Sequence, residues 1–225
     1  MHNPEHQLKE YLAEIKKKVL WLISKKETYW YLRECENTPY SQVFDSHPAF
    51  WGNVITALDT DLFVNLATLY DERSERNLVD YLKQVKMHCG SLVSDSRLRE
   101  FEAAIDEQMA KIADAQNIVG TLKTHRDKYY AHWDKRYFGK SDRLTTEHPL
   151  NVDELSELID TAREIVRKQY SFIFKAHLDS SSPVNSGDVK TVVRNLMIWP
   201  ELVSKIRESS DGEKYLQQLL IKHLK

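Results

Sequence analysis

The eight residues from His125 to His132, reading His-Arg-Asp-Lys-Tyr-Tyr-Ala-His, place a permanent cation, a carboxylate and two titratable imidazoles within about two helical turns. Arginine holds a phosphate through its planar fork and histidine exchanges a proton near neutral pH, so Arg126 and His132 together suit phosphodiester cleavage. Other cations crowd the same stretch: between positions 121 and 145, Lys123, Arg126, Lys128, Lys135, Arg136, Lys140 and Arg143 stand against Asp127, Asp134 and Asp142. The net charge of -2 gives the chain as a whole no electrostatic preference for nucleic acid, so any basic surface must be local.

Six residues at about 100° each leave Arg126 and His132 roughly 120° apart on an ideal helix, so one undistorted helix cannot stack them. They can meet across a dimer interface, or where the helix deforms. His125 and His132 share a helical face but lie about 10 Å apart along its axis, too far for one metal ion. On spacing alone the same residues also serve structural roles. Arg126 can pair with Asp127 or a neighbouring helix, His132 can hydrogen-bond near Tyr129 and Trp133, and Tyr129, Tyr130, Trp133, Tyr137 and Phe138 can pack a core. The sequence contains no glycine-rich phosphate loop, GxSxG, HExxH or EF-hand loop. His2, His6, His47 and His148 lack metal-ligand spacing, so neither a metal nor a small-molecule cofactor is expected.

The string Thr124 to Asp134, THRDKYYAHWD, resembles the signature of the HEPN superfamily, and in particular the abortive-infection U-type HEPN family. In that signature an Arg followed by a polar residue precedes a His. Upstream, Leu69-Tyr70-Asp71 is similar to the turn that ends an earlier helix in the family, and the resemblance extends over roughly residues 5 to 178. It implies a metal-independent endoribonuclease of phage defence or toxin systems, built as a helical bundle that dimerises so that two Arg-His sets face one cleft. By the same resemblance His132 transfers the proton, Arg126 holds the scissile phosphate, and Asp127 orients them. Lys123, His125, Lys128, Lys135 and Arg136 would contact the RNA. The implied reaction is attack by the ribose 2′-hydroxyl on the adjacent phosphate. The implied partners are RNA, a second copy of the chain, and a protein that neutralises or triggers it. The chain departs from many toxin members in carrying Asp134 where they have a Tyr two residues after the His, so control by modification of that Tyr is not implied. A non-catalytic RNA-binding or protein-interaction module of the same fold is the alternative reading.

The elements that must position these residues read as helices. Gly and Pro number six each, and long intervals contain neither. Leu8, Leu12, Ile15, Val19 and Leu22 step by three and four in a first helix that ends at Asn37-Thr38-Pro39. A second starts near Pro48, with Val54, Leu58, Leu62, Leu66 and Leu69 inward, and a shorter one runs from about Glu75 to His88. Arg97 to Lys135 is either one long helix or two with a kink near Asn117 to Gly120. Gly139 to Pro149 reads as a polar loop, and Asn151 or Asp153 caps a helix carrying Leu155, Leu158, Ile159, Ala162, Val166, Tyr170 and Ile173. The expected fold is all-α: an antiparallel bundle over 1–178, a linker over 179–187, and a small helical tail over 188–225. No apolar run approaches the roughly 18 residues of a membrane span, the start lacks a secretory layout, and Cys35 and Cys89 suggest no disulfide framework, so a cytoplasmic protein without membrane attachment is expected.

Overall fold

The computed structural model describes residues 3–131, 141–176, 178, 186–209, 212–214 and 218. Along the chain it forms α1 (Pro4–Cys35), α2 (Ser41–Ser46), α3 (Pro48–Tyr70), α4 (Leu78–Leu92), α5 (Asp95–Asp114), α6 (Gln116–His125), a π-helical turn (Arg126–Ala131), α7 (Ser141–Glu147), α8 (Val152–Phe174) and α9 (Ser186–Glu208). The all-α class read from the apolar stripes holds, with no strand among the described residues. No helix among them is long and apolar enough to cross a membrane.

The chain divides into two compact units, one of Met1–Glu27 with Thr56–Val184, the other of Thr28–Ile55 with Asn185–Lys225. In the first, the α1 stripe Leu8, Leu12, Ile15, Val19 and Leu22 is fully buried, as are Leu62, Leu66 and Leu69 of α3 and Leu158 and Ile159 of α8. Burying each such side chain contributes about 1.5–3 kcal/mol. Side-chain pairs record the helix directions. Lys86–Asp106 and Cys89–Glu102 join α4 to α5, and Lys111–Glu164 and Lys168–Glu107 join α5 to α8. Lys16 lies over Tyr170 and Lys9 over Phe174, joining α1 to α8. In every case one residue number falls as the other rises, so these neighbours run antiparallel. The ion pairs are largely exposed and mark register more than they stabilise.

Local chemistry sets the helix ends. Asn77 caps α4 by accepting from Asp80 N at 2.8 Å. Asn151 opens α8 with a capping box, its side chain accepting from Glu154 N while Glu154 accepts from Asn151 N. Three readings of the sequence need correcting. The stretch after Arg97 breaks at Ala115, just ahead of the expected kink, and breaks pattern again at Arg126. α4 continues through Gly90 to Leu92, whose burial extends the apolar face. The supposed polar loop 139–149 contains α7, held by the i,i+4 pair Arg143–Glu147 and by buried Leu144.

In the second unit, α2 turns Val43 and Phe44 inward and Phe44 packs on Trp51 with ring centres 4.9 Å apart. α9 packs on α2 with Val193 fully buried, and its 23 residues continue through Pro200. The segment expected as a separate tail thus groups with Thr28–Ile55.

Candidate functional site

α3 ends at Tyr70, and the next residue, Asp71, gathers the site. Its carboxylate is buried and meets three cations: Arg126 Nη1 at 3.0 Å, Arg73 Nε at 3.3 Å and Lys123 Nζ at 3.4 Å. The turn that carries it is anchored on both sides. Tyr70 donates its hydroxyl hydrogen bond to Leu158 O at 2.6 Å; Tyr11 Oη accepts from Asn77 N at 2.9 Å and donates to Asn77 O at 3.0 Å. Burial pushes the Asp71 carboxyl toward the neutral form, but hydrogen bonds from Arg73 and Arg126 and the charge of Lys123 outweigh it, holding its pKa well below the usual carboxylate range.

Arg126 stands where α6 gives way to the π-turn. Besides Asp71 it donates from Nε to Asp127 Oδ1 at 2.6 Å, and its side chain is only 11% exposed. The Asp127 hydrogen bond leads in raising the pKa of a group that is already permanently charged. Two carboxylates on two of its nitrogens therefore fix the plane of the guanidinium. With Lys128 next along the turn, four cations stand against Asp71 and Asp127, a local positive excess on a chain of net charge -2.

The helix does deform at this point. An i→i+5 turn makes Ala131, rather than Tyr130, the residue one turn on from Arg126, and single π-turns of this kind recur at functional sites. His125, expected as an RNA contact, is buried against Phe63 with ring centres 5.5 Å apart. Its Nε2 lies 2.6 Å from His148 O, so Nε2 carries the hydrogen and donates, and burial pushes its pKa down. Its place is in the packing beneath the π-turn rather than on the surface. Lys128 Nζ donates to His148 Nε2 at 3.2 Å.

Of the residues singled out from sequence, Arg126 and Asp127 are joined directly, Lys123 reaches them through Asp71, and Lys128 leads to His148. His132, Lys135 and Arg136 lie outside the described residues. Asp71, Arg73 and His148 carry no site role in the reading of the sequence. For Asp71 two signals existed, a carboxylate directly after the apolar stripe of α3 and the resemblance of Leu69-Tyr70-Asp71 to the family's helix-ending turn; for His148 there was none. Among the described residues, no group of three or more His, Cys, Asp or Glu is arranged to hold a metal ion.

Neither a curated protein nor a solved structure matches this chain. The family model of AbiU2, a HEPN family, matches residues 5–192. That match takes in the whole Asp71 and Arg126 cluster and extends beyond the expected bundle boundary at 178 to the first turns of α9. By this coverage the chain belongs to the AbiU2 family of HEPN domains.

Proposed function

We propose that this protein is a metal-independent endoribonuclease in which Arg126 holds the scissile phosphate and His132 transfers a proton, acting as a cytoplasmic homodimer in phage defence or a toxin system. The observation that carries the reading is the setting of Arg126, whose plane is fixed by Asp71 at 3.0 Å and Asp127 at 2.6 Å at the first residue of a π-turn. A guanidinium positioned before substrate arrives needs no reorganisation as charge develops on the phosphate, which is the largest gain such a site can offer. Five N–H donors allow it to keep its carboxylates and still present hydrogens to a phosphate oxygen. Lys123, Lys128, Lys135 and Arg136 then supply the sequence-independent attraction for the RNA backbone.

The second reading, a non-catalytic HEPN module that binds RNA or a protein, draws on the same contacts: a guanidinium shared by two carboxylates is also a sound structural ion pair. Incubating wild type, Arg126→Ala and His132→Ala with cellular RNA in excess EDTA separates the two. Cleavage by wild type that both variants lose supports the enzyme; intact RNA in all three lanes, with binding retained, supports the module.

A further inference from the structure

Cleavage by 2′-hydroxyl attack moves two protons, one off the attacking hydroxyl and one onto the departing 5′-oxygen, and each copy of the chain brings one proton-transfer histidine in its Arg126 to His132 element. A second imidazole lies beside that element. His148 follows α7 and is tied to the end of α6, its main-chain oxygen accepting from His125 Nε2 at 2.6 Å, and to the π-turn, its ring Nε2 accepting from Lys128 Nζ at 3.2 Å. His125 and Lys128 flank Arg126-Asp127 in the chain, so His148 is held by the residues on either side of that pair. The residue is half-buried, reachable yet fixed. An ammonium can only donate, so the His148 Nε2 that faces it accepts, and an accepting ring nitrogen is what a general base requires.

We propose that His148 is the general base of this site: when a substrate phosphate draws Lys128 away, His148 Nε2 takes the proton of the ribose 2′-hydroxyl. The inference rests on the ribonuclease reading above. In the step, the O2′–H bond breaks with its proton passing to Nε2, O2′ forms a bond to phosphorus, and the P–O5′ bond breaks. The leaving 5′-oxygen acquires a proton from the site's acid or from solvent, giving a 2′,3′-cyclic phosphate and a 5′-hydroxyl. Lys128 exchanges a neutral acceptor for an anionic one, which is the stronger hydrogen bond. Among the described residues, the charged and titratable groups near His148 are Lys128 on its ring, His125 on its carbonyl with Asp59 acting on His125, and the Arg143–Glu147 pair on the preceding α7.

Replacing the ring leaves the fold's own contact in place, because His125 bonds to the main-chain oxygen of residue 148. His148→Ala and His148→Gln are compared with wild type on a ribo-oligonucleotide under single-turnover conditions across about pH 5 to 9, with thermal melting and RNA gel shifts alongside. The expected result is a loss of about 10²-fold or more in cleavage rate. RNA affinity and melting stay near wild type, the acidic limb of the pH–rate profile disappears, and added imidazole partly restores His148→Ala but not His148→Gln. Wild-type rates and pH profile in both variants overturn the proposal and point to a second copy of the chain as the source of the base. Loss of RNA affinity with an unchanged rate at saturation also overturns it, leaving His148 a binding group. A wild type that binds RNA without cutting it is a different failure, that of the ribonuclease reading itself, and the proposal falls with it.

Discussion

Arg126 Nη1 and Asp71 Oδ2 lie 3.0 Å apart across 55 residues of chain, with side chains 11% and 5% exposed. Each charge has a further partner, Asp127 for Arg126 and Arg73 with Lys123 for Asp71, so removing one leaves the other partly compensated. Asp71→Ala, which takes the shared anion from three cations, should cost about 1–3 kcal/mol of unfolding free energy. Since Asp71 also compensates Arg73 and Lys123, the coupling must be isolated in a double-mutant cycle with Arg126→Gln. A coupling of up to about 3 kcal/mol by urea denaturation is expected, and a value near zero would show the two to be independent.

The cations around Asp71 make a pH signature. Asp71 titrates lower in the folded chain than in the unfolded one, so between those values the unfolded state binds more protons and stability falls as pH drops. Its contribution is complete above about pH 4 and is lost progressively below it. His125 is also depressed, and the penalty for charging its buried ring grows as pH falls below about 6.5. Unfolding free energies from pH 8 to pH 3 should show both losses; Asp71→Asn should remove the lower and His125→Phe the upper.

Much of the scaffold behind these pairs was legible because it depends on periodicity. The α1 stripe, the inward residues of α8 and the Asn151 cap are all local patterns, and each was found where the spacing put it except Tyr170 of α8, which is half-buried under Lys16. The rest depends on partners distant in sequence. Nothing within Arg-Asp-Lys-Tyr-Tyr-Ala announces a π-turn, and the role of Asp71 emerges only when Arg126 is brought to it. α7 offered one apolar side chain, Leu144, too few to show a stripe. The grouping of α9 with Thr28–Ile55 rests on packing against α2, which composition cannot reveal.

Arg126→Lys tests the fork rather than the charge. A lysine can meet Asp71 or Asp127 but not both in the present plane, and it offers a phosphate a point charge where arginine offers parallel donors. The variant should unfold less readily than Arg126→Ala yet lose about 10²-fold or more in RNA cleavage. Near-wild-type cleavage would mean that positive charge suffices and that the two carboxylates serve the fold alone.

His125 and Lys123 sit two residues apart and should behave oppositely. His125→Phe keeps the aromatic packing on Phe63 but takes the donor from His148 O, so a stability loss of about 1 kcal/mol is expected, with RNA affinity unchanged. Lys123 is one-quarter exposed beside Asp71, and Lys123→Ala should weaken RNA binding across sequences and reduce the salt slope of log K by about one. Gel shifts over a salt series read both. If His125→Phe moved the slope and Lys123→Ala did not, the RNA would have to reach the ring now packed under the π-turn, and the basic face would have to be redrawn around it.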